Sequence, residues 1–257
     1  MNEDRLQRAA QYIVALRNIG PRPRSLPLDL APQNETEAYR IQQLVGSALG
    51  AGRGCWKVAM NDAHIGSCAP VFAADVHRSA ARVTSPIADR LGIEPEIAFS
   101  LKRALPRLPD GRQYEREQVI GVIAAAHAAI EIVVSRFNSH DGAAPLDRLA
   151  DNISNAGLVL GPPCEHWQQL NLSTIELHLC IEPGQGDSSE IDAHGGHPLG
   201  DPLLPLLWLA NHACQNGPGL QAGDVVTTGS YAGLRFVERN THVSVRFAGL
   251  GVAELYS

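Results

Sequence analysis

The stretch Gly92-Ile-Glu-Pro-Glu-Ile-Ala-Phe-Ser-Leu101 decides how this chain of 257 residues is read. It sets two carboxylates, Glu94 and Glu96, two positions apart in a run of strand formers. Side chains alternate across a strand, so residues i and i+2 leave the backbone on one face. Like charges held that close repel unless one takes up a proton, bulk water surrounds both, or a hard divalent cation binds both. The flanking Ile93, Ile97, Ala98, Phe99 and Leu101 argue against bulk water. Pro95, lacking a backbone N–H, predicts a sheet edge or a strand end, where open metal sites also tend to lie.

A Glu-x-Glu pair also fits the solvent face of an amphipathic strand, and a second segment weighs against that alternative. Ala128–Phe137 reads Ala-Ala-Ile-Glu-Ile-Val-Val-Ser-Arg-Phe, with Glu131 the sole acid in an apolar, β-branched run. A buried lone carboxylate costs several kcal/mol unless paired or coordinated. The nearest base in sequence, Arg136, falls on the opposite face of a straight strand. Three acids on two strands, with no adjacent base, fit an oxygen-rich Mg²⁺ or Mn²⁺ site better than a salt-bridge network.

Composition is that of an ordinary globular protein, with 44% hydrophobic and 19% charged residues. The net charge of −6 gives no support to nucleic-acid binding or to attraction toward anionic membranes. No apolar run approaches the roughly 20 residues that cross a bilayer, and the polar start Met1-Asn-Glu-Asp is unlike a signal peptide, so a cytoplasmic protein is expected. Five scattered cysteines contain no Cys-x-x-Cys and predict free thiols. There is no zinc-protease His pair, no phosphate loop and no Gly-x-Ser-x-Gly elbow.

Residues 3–18 carry an amphipathic helical pattern stopped by Gly20 and Pro21, and Pro21–Pro32 predicts an extended connector. Asn34 with Glu37 announces a second helix to about Gly50 or Gly52. Residues 1–53 thus form a helical cap. From Cys55 onward short β-branched runs dominate: 55–59, 93–101, 130–135, 158–160, 175–181, 224–228, 241–247 and 252–256. Helices are predicted only near Glu115–Ala126 and Leu203–Asn216. The expected class is α+β, a β-rich mixed sheet over residues 54–257, closed by a hairpin through Ala248-Gly249-Leu250-Gly251.

Taken in order, the motifs resemble a known family. They are Ala38-Tyr39 with Ile41-Gln42, Trp56-Lys57-Val58, Glu94-Pro95-Glu96-Ile97-Ala98-Phe99, Ala129-Ile130-Glu131-Ile132-Val133 and Ala150-Asp151-Asn152. Then follow Gly196-His197-Pro198-Leu199, Trp208-Leu209-Ala210-Asn211, Gly223-Asp224-Val225-Val226 with Thr228-Gly229, and Phe247-Ala248-Gly249. From about residue 36 the chain resembles the branch of the fumarylacetoacetate hydrolase superfamily that holds 2-keto-4-pentenoate hydratase and 4-oxalocrotonate decarboxylase. The resemblance implies a barrel-like sheet roll under a helical cap, one Mg²⁺ or Mn²⁺ on Glu94, Glu96 and Glu131, and a small 2-oxo acid chelating that ion. It also implies a lyase of aromatic catabolism, commonly a homo-oligomer.

Lys57 is the first candidate for proton transfer or for holding the substrate carboxylate, with a lowered pKa beside a cation and an apolar wall. The alternative is a surface lysine. Asp151 is expected to line the pocket or to cap a turn, and Thr228 and Ser230 to offer N–H and hydroxyl groups to the substrate. His197 is expected to be structural. One departure stands out: where hydratases carry Gly-Leu-Thr and an acidic loop, this chain reads Ala59-Met60-Asn61 and Ser67-Cys68-Ala69-Pro70. Asp62 or His64 are the substitutes at hand for the missing acid. Decarboxylation, C–C hydrolysis through His64, or a silent member are the alternatives to hydration.

Overall fold

The stretch around Glu94 forms the strand Arg90–Leu101 inside an eight-stranded sheet. This computed structural model describes residues 2–18, 22–138 and 142–257. The sheet runs in the order Gly66–Phe72, Arg53–Met60, Val225–Ser230, Arg90–Leu101, Ile123–Val133, Asn155–Leu160 and Val76–Arg78. Arg235–Glu238 pairs with the first half of Arg90–Leu101, in line with Val225–Ser230. The sheet stays open, with Gly66–Phe72 and Val76–Arg78 at its ends, so the fold is a mixed-sheet roll and not a closed barrel.

A second sheet of five strands orders Ser189–His194, Glu176–Pro183, Thr241–Phe247, Gly251–Tyr256 and Ala81–Arg82. Its last long pair is the expected hairpin. Strand alternation then divides the central strands by face. Ile93, Ile97 and Phe99, with Ile130 and Ile132, join Leu177, Val243, Val245 and Phe247 in the core between the sheets. Full burial of each such side chain contributes about 1.5–3 kcal/mol. The other face carries Ala98, Ala129 and the acids; its small side chains leave room for a site.

The N-terminal helices Glu3–Leu16 and Glu35–Ala48 pack on each other and on Ala69, Phe72 and Leu149, a separate apolar cluster at one end of the large sheet. Asn34 caps the second helix by accepting from the Glu37 N–H at 3.0 Å. The Glu37 carboxylate does not close the box; it accepts from the Gln33 N–H and from Arg5. The expected helix stop at Gly20 and Pro21 lies outside the described residues.

Two expectations are corrected. The helix predicted over Glu115–Ala126 is only Arg116–Ile120, because the alanine-rich continuation is the start of the strand Ile123–Val133. Central burial overrides helix propensity there. Pro95 is at neither an edge nor an end: it pairs with Ile130 in mid-strand. Its other side faces the break between Val225–Ser230 and Arg235–Glu238, where the Pro95 carbonyl accepts from the Tyr231 N–H at 2.8 Å. A missing N–H costs no ladder bond at such a gap.

Candidate metal centre and active site

Cross-strand register builds the site. Glu94 lies directly opposite Glu131, and Glu96 follows two residues on along the same face. One carboxylate oxygen from each lies within 4.8 Å of the other two. Glu131 and Glu96 are 0% and 2% exposed, and Glu94 is half-buried. Directly opposed like charges destabilise a sheet, so this arrangement calls for a counter-charge.

Part of it is Lys57, from the neighbouring strand Arg53–Met60. Its ammonium is buried, 2.5 Å from Glu131 Oε1, and also donates to the Ile153 carbonyl at 3.3 Å. The sequence showed no base beside the acids because this one lies far off in the chain. Asn155 Nδ2 donates to the same Glu131 oxygen at 2.9 Å. Glu96 Oε2 accepts from the Gly229 N–H at 2.9 Å and from the Thr227 hydroxyl. Gly229 has φ of +117°, and a Cβ there would meet His197 Nε2 at 3.3 Å. Glycine thus turns the N–H toward Glu96 at little steric cost.

The charge count is unbalanced. Ionised together, three carboxylates against one ammonium would leave two negative charges uncompensated in a buried pocket. Glu131 Oε2 is buried with no hydrogen-bond partner. Burial, then Glu131, raise Glu94 to about 7, against the opposing pull of Lys57. Burial, Glu131 and Glu94 push Glu96 well above the usual carboxylate range. For Lys57 burial pulls downward, but Glu131, Glu94 and Glu96 outweigh it, so its pKa lies above the ordinary lysine value, not below as expected. An all-oxygen donor set with a deficit of two charges and an unpartnered oxygen fits a hard divalent cation.

A cavity of about 240 Å³ opens over the acids, lined also by Lys57, His197, Thr228 and Ser230. His197 accepts from the Leu199 N–H on Nδ1, so Nε2 carries the proton that it gives to the Thr228 carbonyl at 2.9 Å. Burial lowers its pKa and keeps it neutral, a structural role as expected. The Thr228 hydroxyl donates to the Ile97 carbonyl at 3.0 Å, and the Gly229 N–H serves Glu96. Of the groups expected to face a substrate here, the Ser230 hydroxyl alone lacks a protein partner.

Three candidates lie elsewhere. Asp151 is fully buried and does not line this cavity. It pairs with the Arg136 guanidinium and accepts from the Arg136 N–H at 3.0 Å. Asp62 and His64 are exposed in the turn joining Arg53–Met60 to Gly66–Phe72, and neither lines this cavity. Sequence reasoning missed Thr227, Asn155 and the Ile153 carbonyl. Nothing in the sequence marked Asn155 or Ile153; for Thr227 the strand position beside the expected Thr228 was the available signal.

Fold and site together define a class: an open two-sheet roll with an acidic pocket of divalent-cation type on one face of its larger sheet. The chain belongs to the fumarylacetoacetate hydrolase C-terminal family, whose model matches residues 57–255. It is 34% identical over 163 residues to 2-keto-4-pentenoate hydratase 1 of Dechloromonas aromatica (strain RCB), covering 62% of this chain and 57% of that protein. It is 30% identical over 138 residues to a 4-oxalocrotonate decarboxylase of a Pseudomonas species, covering 54% of this chain and 49% of that protein. The chain therefore spans about half the length of the curated relatives it matches. Among solved structures, the 4-oxalocrotonate decarboxylase of Pseudomonas putida G7, complexed with magnesium and adipate, superimposes with a TM-score of 0.84 at 20% identity. That match covers 100% of this chain and 98% of the other. No helix among the described residues is long and apolar enough to cross a membrane.

Proposed function

We propose that the chain is a divalent-metal-dependent lyase of a small 2-oxo acid or its 2-hydroxy-2,4-dienoate enol, with hydration as the reaction. The observation that carries the reading is the buried Glu94–Glu96–Glu131 set, two positive charges short, beside the buried Lys57. The relatives named as hydratases and the neighbour holding magnesium support it. Glu94, Glu96 and Glu131 would hold Mg²⁺ or Mn²⁺. Bound there, such an ion supplies Lewis acidity for the negative charge that develops on the C2 oxygen of a 2-oxo acid.

The residues do the rest. Lys57 carries a proton at Nζ and, anchored by Glu131 and the Ile153 carbonyl, either delivers it to the dienol carbon or holds the substrate carboxylate. The Ser230 hydroxyl orients the substrate, and Thr228 shapes the wall beside it. Asp62 and His64 take no part in this reading. A homo-oligomeric, cytoplasmic enzyme belongs to the same proposal.

Decarboxylation of a 2-oxo diacid is the second reading, favoured by one observation. Among the described residues of the cavity, Lys57 is the titratable group left over once the three acids hold an ion and His197 is fixed neutral. Hydration asks for protonation of one carbon and activation of a water at the next, whereas decarboxylation asks for an electron sink and one proton. Hydrolytic C–C cleavage is disfavoured, since His64 is outside the cavity.

The test follows the ultraviolet absorbance of 2-hydroxypenta-2,4-dienoate and, separately, of 4-oxalocrotonate, with Mg²⁺ and with a chelator. Chelator-sensitive loss of the first establishes hydration, and of the second alone decarboxylation. Loss of neither, from protein that binds the metal, refutes both.

A further inference from the structure

The outer face of the second sheet carries ligand-type side chains of its own. Along Glu176–Pro183 the outward residues are Glu176, His178, Cys180 and Glu182, and along the neighbouring edge strand Ser189–His194 they are Glu190, Asp192 and His194. The inward Leu177 and Leu179 are buried in the core, which fixes the backbone beneath them. Register sets Glu176 opposite His194 and His178 opposite Asp192. Two adjacent rungs thus hold two imidazoles on one diagonal and two carboxylates on the other. Opposed Cβ atoms of an antiparallel pair stand about 5 Å apart and successive outward ones about 7 Å, so an ion over the centre of the block is within reach of all four side chains.

Each carboxylate here is met by an imidazole: His178 Nδ1 is 2.7 Å from Asp192, and His194 Nδ1 is 3.7 Å from Glu176. Among the described residues neither carboxylate lies within ion-pair distance of an arginine or a lysine. Arg246 faces His178 from the strand on its other side, which still leaves an excess of negative charge on the block. We infer that Glu176, His178, Asp192 and His194 form a binding site for a borderline transition ion of the Zn²⁺ or Cu²⁺ kind, separate from the hard-cation acid set. Two imidazole nitrogens and two carboxylate oxygens are donors that Zn²⁺ takes in tetrahedral form. The entering ion takes the place of the protons that hold each imidazole to its carboxylate. The donors stand as two separate pairs, and among the described residues the acid set is the one group with its donors within 4.8 Å of one another. Binding therefore turns the four side chains toward one point, which their exposure of 39% to 76% permits. An ion held there ties the edge strand to the sheet. His242 on the same face supplies the contrast. Its two ring nitrogens lie 2.6 Å from Glu182 and 3.3 Å from Glu254, its ring stacks on Tyr256, and no second imidazole lies opposite.

Calorimetric titration with Zn²⁺ tests this on the unaltered protein and its variants. Two equivalents are expected in the unaltered protein, one at the acid set and one on the sheet. E94Q should weaken the first and spare the second. H178A combined with H194A should remove the second and spare the first, H178A alone should weaken it at least about tenfold, and H242A should change neither. These exposed substitutions should leave the metal-free melting temperature within about 2 °C of the parent, so that a lost equivalent is not a lost fold. A single equivalent that E94Q removes, or a second one that survives the loss of both His178 and His194, overturns the inference. A single equivalent that the double histidine variant removes supports it and counts instead against the acid set as a metal centre.

Discussion

Two buried charge clusters lie side by side on this sheet, and they are balanced differently. In one, Arg136 meets Asp151 and every arm of the guanidinium is used. Nε pairs with the carboxylate, one terminal nitrogen reaches the Asn155 carbonyl at 2.8 Å, and the other the Asp151 carbonyl at 2.6 Å. In the other, Glu94, Glu96 and Glu131 outnumber Lys57, and Glu131 Oε2 is unpartnered. A buried pair whose two charges meet directly serves the fold, although Arg17 beside it keeps two buried nitrogens without partners; a cluster of three acids around one ammonium is built for something that arrives later. The contrast is one of charge count, since both clusters are buried and hydrogen-bonded.

The comparison breaks first at Asp151. D151A strands the Arg136 cation and should cost about 3–5 kcal/mol in urea unfolding, whether or not Mg²⁺ is present. A loss under 1 kcal/mol would show that the pair is not structural. E94Q should act with the opposite sign in metal-free protein, because it removes one of two opposed like charges: the unfolding midpoint holds or rises. It should also abolish the stabilisation by Mn²⁺, which in the unaltered protein is about 2.7 kcal/mol at 100 times Kd.

The same imbalance gives a pH dependence. Glu94 at about 7 lies above its ordinary 4.5, so the metal-free fold holds a proton that the unfolded chain releases in that window. Metal-free stability should therefore fall as pH rises from about 4.5 to 7. Saturating Mg²⁺ should flatten that slope, as read by thermal melts across the range; a slope that is equally steep with the ion bound contradicts the assignment. A smaller effect is expected at Asn155, which holds Glu131 and does not face the cavity. N155A should weaken metal binding about 10- to 100-fold by titration. Smallest of all, D62A and H64A should shift stability by no more than about 0.5 kcal/mol and leave turnover near that of the parent protein. A tenfold drop in kcat would return that turn to the active site.

The acid set was legible because two local signals coincide: Glu-x-Glu in a β-branched run, and a lone Glu in an apolar one. Strand alternation turns the first into geometry without any knowledge of the fold. The long central strands were legible for the same reason, but Gly66–Phe72, whose glycine, serine and proline carry little strand preference, was missed, as were Ser189–His194, Arg235–Glu238 and the shorter strands. Ile123–Val133 was half read as helix, since Ala124, Ala125 and Ala126 prefer helix until the sheet buries them. The partners were not legible. Whether Arg136 serves Glu131 or Asp151, and which base serves Glu131, depends on strand order, and that is set by packing at long sequence separation.

Asn152, Ile153 and Ser154 have φ of 53°, 53° and 60°, a left-handed turn that a β-branched isoleucine rarely adopts. Within it and its flanks, Asp151 grips Arg136, the Ile153 carbonyl holds Lys57, and Asn155 donates to Glu131. Five consecutive residues thus set the spacing between the two clusters, like a gauge block between jaws. Side chains along it can be exchanged one at a time, but its length cannot: a single inserted residue would put Asp151 and Asn155 out of step, and both clusters would lose a partner at once.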